Sequence, residues 1–332
     1  MIVVIWLWLA WMAVSFGQAG TYQQWVARQD IVPHEEPLYL FQAEIHAKLA
    51  PLVAERPGVV EPFVAGHTVK GRPVWAFRVH DPMREIEHKM LVFAGIHALE
   101  WVGVEAAVRF LEDVIVHPPP HVEVIVIPIL NVDRRLQVEA DLLQGERIYR
   151  RSNANGVDLN RDFAVHRESD AIWQHIIPNR YSHSDSPLSQ PESQLIDQLA
   201  AAERFDTAVS LHCWGGYLYF PWAGHFDRTP DHAEFVALAT TMQQAQGRHP
   251  YRVQQLSHWG FFFRALGSEI DHLYGQYGTR AFLIEMGRSG IHPLKPDTWR
   301  DPFRFYNPVD PRHHTEMGFQ ALRALAWHTV MQ

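Results

Sequence analysis

Four short apolar runs limit what this chain can fold into. Met90–Ala94, Val122–Leu130, Thr207–Leu211 and Arg280–Ile284 are dominated by aliphatic and aromatic residues, with stretches of helical spacing between them. Runs that are apolar at successive positions leave no side for water, so both of their faces must be covered. Sheets of that kind are mostly parallel and carry helices on each side. Helices are expected at Leu38–Glu55, Val102–Ile115, Pro191–Glu203 and Arg312–Val330; Pro191 and Glu192 suit the first turn of the third. Val59–Val64 and Val74–Val79 alternate like the arms of a hairpin around Gly66–Pro73. The expected class is therefore α/β: a single domain with a mixed, mostly parallel central sheet flanked by helices on both faces.

Neither a linker nor a repeat interrupts this pattern. The 332 residues, 47% of them apolar, suffice for one large core. The net charge of −8 is spread among interspersed acids and bases, with no basic stripe suited to nucleic acid. The N-terminus differs from the rest. Ile2–Phe16 is almost wholly apolar, the first charge is Arg28, and Gly17-Gln18-Ala19-Gly20 offers small residues for cleavage. Residues 1–20 are expected to be a signal peptide and 21–332 the folded domain, exported to a periplasm or secreted. The alternative is an uncleaved membrane anchor, although the run falls short of the ~20 residues a span needs. One cysteine, Cys213, excludes an intrachain disulfide.

Function in such sheets gathers in the crevice beyond the carboxyl ends of the strands. His97, Asn131, His212 and Glu285 each stand at or just past the end of an expected strand. His97 and Glu100 are three residues apart, so on a helix beginning near Ala98 they would share one side of its first turn. The pair alone also describes a capping glutamate beside a surface histidine, and the chain has 21 histidines. Placement after a buried strand is what favours ligands. Two imidazoles and one carboxylate form a catalytic zinc set with a position left open for water, as in carboxypeptidase A. Glu285 would add a base, and the sum is a hydrolase. If His212 faces such a site, Cys213 faces the core, because neighbouring strand residues point opposite ways.

Several separate motifs resemble those of the M14 zinc carboxypeptidases, the carboxypeptidase A family. Gly71-Arg72-Pro73-Val74 is similar to the family's strand entry, Gly95–Trp101 to its metal motif, and Gly156-Val157-Asp158-Leu159-Asn160-Arg161 to its conserved loop. Leu211-His212 followed by Tyr217–Trp222 resembles a further segment, and Glu285 closes a strand as the catalytic glutamate does. The matches run in family order over roughly residues 40–330. The resemblance implies one Zn2+ held by His97, Glu100 and His212, with Glu285 and Arg151 catalytic. Asp158 would take the spare N–H of the first histidine. Asn160 and Arg161 would grip a substrate's terminal carboxylate, for which the planar guanidinium fork is suited. Arg72 would bind a carbonyl further out, and Arg150 is an alternative to Arg151. The implied reaction is hydrolysis of the C-terminal peptide bond of a peptide with a free carboxylate.

The chain also departs from the family. Counting twenty-two residues back from Glu285 reaches Phe263, where the family usually has a tyrosine on a closing loop. The ring is kept and the hydroxyl lost; Tyr274 and Tyr277 are candidates to supply it. The residue that sets pocket preference falls at Ile270, an apolar floor, while Glu269 and Asp271 beside it leave a basic preference open. After Asn131, Val132-Asp133-Arg134-Arg135 replaces Pro-Asp-Gly and brings positive charges that could alter substrate choice. The short interval before the metal motif leads us to expect no long folded pro-segment and no activation by proteolysis. A murein peptide amidase, which shares this site and the compact loop, is the nearest alternative. A non-catalytic zinc or peptide binder is the alternative of another class.

Overall fold

The computed structural model describes residues 20–168, 184–260, 263–291, 294 and 296–328. The expected leader lies outside the described residues except for Gly20, as do the last two residues of the expected C-terminal helix. In chain order the elements are α1 (Gln42–Glu55), β1 (Val60–His67), β2 (Pro73–Val79), β3 (His88–Ala94), α2 (Trp101–Val116), β4 (Val122–Ile127), α3 (Val132–Leu143), α4 (Pro191–Glu203), β5 (Thr207–Cys213), β6 (Tyr217–Phe220), α5 (His232–Ala245), β7 (Arg252–Gln255), α6 (Glu269–Tyr277), β8 (Arg280–Met286), α7 (Pro302–Tyr306) and α8 (Arg312–His328).

The strands form one sheet in the order β1-β2-β4-β3-β5-β8-β6-β7. The four central strands, β4, β3, β5 and β8, run parallel. β1 and β2 pair antiparallel, as do β2 and β4, and β6 meets β8 antiparallel, so the sheet is mixed at its margins. Every residue of β4 and β5 is buried, the polar Glu123, Thr207, Ser210 and His212 included, as their mostly apolar runs led us to expect. The chain leaves β3 for β4 on one side and later enters β5 on the other side of β3. The crevice past the carboxyl ends of β3 and β5 is therefore the switch point where open α/β sheets bind ligands.

The arginines after Asn131 do not turn toward that crevice. They begin α3, where Arg135 is buried with its guanidinium 3.3 Å from the centre of the Trp101 ring and its Nε donating to Glu139 at 2.8 Å. Arg134 donates to the Asn153 carbonyl at 2.8 Å and to Gln137 at 2.7 Å. These charges brace the fold, and their contacts lend no support to the expectation that they could alter substrate choice.

Candidate active site

β3 stops at Ala94, and Gly95 turns the chain with φ +66°, a conformation that suits glycine. A turn follows in which the Glu100 N–H donates to the His97 carbonyl at 3.1 Å. Helix α2 starts at Trp101, later than the start near Ala98 that the spacing suggested. A distant side chain clasps the turn. Asn307, fully buried, accepts from the Trp101 N–H at 2.9 Å and donates to the Leu99 carbonyl at 2.7 Å. Further along α2, a Cβ on Gly103 would lie 2.9 Å from the Leu211 carbonyl oxygen, so the helix presses directly on β5. This seats Glu100 against His212. Strand register adds the fourth group, because His212 of β5 pairs with Glu285 of β8.

His97, Glu100 and His212 each offer one ligand atom, and these atoms lie within 4.8 Å of one another. The two Nδ1 atoms are 3.1 Å apart, and the Glu100 oxygens lie 2.9 Å from the first and 3.0 Å from the second. Donors around a tetrahedral zinc with ~2.05 Å arms stand about 3.3 Å apart. The set therefore fits a small cation. Behind it, His97 Nε2 faces Asp158 at 2.9 Å, and His212 Nε2 faces Glu269 and Ser210 at 2.9 Å each. An ionised carboxylate only accepts, so it places a proton on Nε2 and, whenever the ring is neutral, leaves the Nδ1 lone pair inward. Arg151 links the groups, donating to Asp158 and to Glu100 at 2.9 Å each.

Negative charge outnumbers positive in this cluster. Burial raises the Glu285 carboxyl to about 8, and the neighbouring Glu100 charge adds to the shift. Burial also opposes charge on Glu100, yet His97 and His212 hold it well below its usual range. His212 is pushed up to about 10, since hydrogen bonds to Glu100 and Glu269 outweigh its burial. Asp158 is held low against its own burial, chiefly by Arg151 and His97. Among the described residues, Glu285 Oε2 is buried and has no hydrogen-bond partner.

Two cavities meet at Arg151. One, of about 510 Å³, is lined by Glu100, Glu285, Tyr217, Tyr219, Trp259 and Phe263, among others. The other, of about 630 Å³, includes Tyr149, Asp158 and Trp299, and both share Arg151, Phe305 and Tyr306. Phe263 thus stands in the same cavity as Glu285, edge-on to Trp259 at 5.3 Å.

Other expected residues lie elsewhere. Ile270 is fully buried in the core and lines neither cavity. Arg72 pairs with Asp133 at 2.6 Å, also away from both. Asn160 and Arg161 are buried; the Asn160 side-chain oxygen accepts the Glu269 N–H at 3.2 Å. Arg150 turns away to Asp141. Asn131 caps α3, and its amide bonds to the Ile96 and Ser152 carbonyls at 3.2 Å each. Cys213 is buried and packs in the core cluster, while it also borders the cavity that holds Glu285 and its N–H donates to Glu100 at 3.2 Å.

The family profile described as Zinc carboxypeptidase (Peptidase_M14) matches residues 45–305. The chain belongs to the zinc carboxypeptidase family. Among curated relatives, Carboxypeptidase B2 of Rattus norvegicus is 20% identical over 93% of this chain and 75% of its own length. Carboxypeptidase O of Bos taurus is 21% identical over 73% of this chain and 64% of its own length. Among solved structures, bovine thrombin-activatable fibrinolysis inhibitor in complex with tick carboxypeptidase inhibitor superposes with a TM-score of 0.70 at 20% identity, covering 88% of this chain and 98% of that one. Carboxypeptidase A from Helicoverpa armigera gives 0.68 at 20% identity, covering 94% and 80%. The carboxypeptidase fold is common to all of them.

Within this carboxypeptidase fold, sequence reasoning missed Glu269 and Asn307. Glu269 was visible only as a neighbour of Ile270, with a basic preference left open. The geometry gives both carboxylates partners within the protein: Glu269 serves His212, and Asp271 accepts from Ala223 N at 2.6 Å, Gly224 N at 2.9 Å and faces His166 Nδ1 at 2.8 Å. Neither carboxylate lines either cavity. Tyr274 and Tyr277 donate their hydroxyls to Asp231 and Asp197, so neither replaces the one lost at Phe263. Asn307 carries no local signal, because its partners lie about two hundred residues upstream.

Proposed function

We propose that the chain is a zinc-dependent carboxypeptidase that removes the C-terminal residue of peptides bearing a free carboxylate. The observation that carries this reading is Glu285, a carboxylate with an unpartnered oxygen in the same cavity as Glu100. His97, Glu100 and His212 would hold the ion. When bound, zinc supplies a Lewis acid that polarises a carbonyl and brings the pKa of water to about 7. Glu285 is suited to take the proton from that water and pass it to the leaving nitrogen. Arg151, fixed by Glu100 and Asp158, keeps a positive charge at the cavity wall where the carbonyl oxygen gains negative charge. Asp158 fixes the ring of His97.

Family resemblance assigns the terminal carboxylate to Asn160 and Arg161. Both are buried and line neither cavity, whereas the cavity that holds Glu285 has a largely aromatic wall of Tyr217, Tyr219, Leu256, Trp259 and Phe263, against which a substrate side chain bound there would lie. That wall favours apolar or aromatic terminal residues, a preference drawn from these rings rather than from Ile270. Export is proposed on the leader alone; among the described residues no helix is long and apolar enough to cross a membrane.

A peptide library scored for released terminal residues, with and without a chelator, tests the reading. Metal-dependent release of single apolar C-terminal residues is expected. Release of internal fragments, or turnover unaffected by chelation, would remove it. Cell-wall peptides assayed in parallel separate the murein peptide amidase reading, which would require them to be the better substrates.

A further inference from the structure

We propose that Glu269 is a positioning residue for the metal, so that each imidazole ligand is backed by its own carboxylate: Asp158 behind His97 and Glu269 behind His212. The inference rests on the zinc reading above and adds to it a residue that carries no assigned role.

The geometry of the two pairs is alike. His97 Nε2 stands 2.9 Å from Asp158, and His212 Nε2 stands 2.9 Å from Glu269. Glu269 and His212 are both at most 1% exposed, so water does not compete for this contact. A carboxylate is costly to bury and needs strong partners to stay ionised. Glu269 has them. It stands at the first position of α6, where the helix end favours negative charge. Ser268 Oγ approaches Oε2 at 3.2 Å, and His212 takes Oε1.

One residue ties the two pairs into a frame. The Asn160 N–H donates to Asp158 at 3.1 Å, while its side-chain oxygen accepts the Glu269 N–H at 3.2 Å. The loop that holds the first carboxylate thereby fixes the backbone of the second. The chemical consequence follows from the hydrogen bonds. With Nε2–H given to Glu269, His212 must present Nδ1 to the cation, and the carboxylate makes the ring a stronger donor. An amide in place of the carboxylate would keep an acceptor for Nε2–H but lose the charge.

The test is zinc binding by the metal-stripped full chain, measured in competition with a chelating indicator. The expected result is one zinc per native chain, with Glu269→Gln binding about 10- to 100-fold more weakly. Glu269→Gln that binds zinc as tightly as the native chain overturns the proposal, even if its zinc-free form melts lower, since that is the signature of a structural role alone. Should the variant fail to fold, nitrogen NMR of histidines in the zinc-loaded native chain decides. His212 bound through Nδ1, with its Nε2 proton slow to exchange, supports the inference; binding through Nε2 overturns it. A native chain that takes up no zinc would remove the proposed function itself, an outcome distinct from either of these.

Discussion

Glu285 occupies a place where ionisation is costly, yet the proposed proton transfer needs it ionised. Burial and the Glu100 charge raise its pKa to about 8 in the metal-free chain, and a cation held by the three ligands would pull it back down. Two predictions follow from that tension. In the metal-loaded enzyme, Glu285→Gln is expected to retain one zinc and to lose turnover by a factor of about 10² to 10⁴, read from peptide hydrolysis alongside bound metal. Near-native turnover would exclude the general-base role. In the metal-free chain, the folded state favours the protonated acid. The native chain should therefore match Glu285→Gln in stability below about pH 4.5 and fall progressively behind it as pH rises through about 8, by up to about 5 kcal/mol. Denaturant midpoints of both chains across that range check the sign; an opposite slope would refute it. At this scale the gathering of His97, Glu100, His212 and Glu285 was legible, because each closes or follows a buried apolar run. Glu269 was not, because its partner His212 is fifty-seven residues away and nothing local marks the contact.

Elements differ in how plainly they announce themselves. β3, β5 and β8 were readable as apolar runs, and α4 begins and ends where Pro191 and Glu203 indicated. β4 was overextended: it stops at Ile127, and 128–130 lead on to Asn131, which caps α3. β6 and the edge strand β7, four residues each, are too short to show a period, and α3 hides its helical face behind buried charge such as Arg135 and Glu139. α2 matches the expected Val102–Ile115 to within a residue at each end, whereas a start near Ala98 is not met, and the first helical N–H is satisfied by Asn307 and not by a neighbour. Asn307→Ala should therefore leave the Trp101 N–H and the Leu99 carbonyl unpaired, costing about 1 to 3 kcal/mol and loosening the turn that carries Glu100. Denaturant unfolding and zinc affinity should both fall. Unchanged zinc affinity would mean that the turn holds its shape without the clasp.

For the molecule as a whole, the proposed ion and the fold would be coupled. The cluster gathers Glu100, Asp158, Glu269 and Glu285 around few cations, and a divalent ion offsets their mutual repulsion. Stripping the metal is expected to lower the melting temperature, with a stability difference of about 4 kcal/mol when free zinc is a thousandfold above its dissociation constant. Thermal unfolding with and without chelator measures it, and identical curves would show that the site does not engage a metal in the folded chain. The clasp by Asn307 also bears on how the protein comes into being. The turn it secures is synthesised early, but the securing residue lies 206 positions downstream. A nascent chain emerging from the ribosome carries His97 and Glu100 long before anything can pin them, and His212 arrives only midway. On the proposed function, the assembled donor set is secured only once the chain has been made through Asn307, 206 positions beyond the turn that carries Glu100.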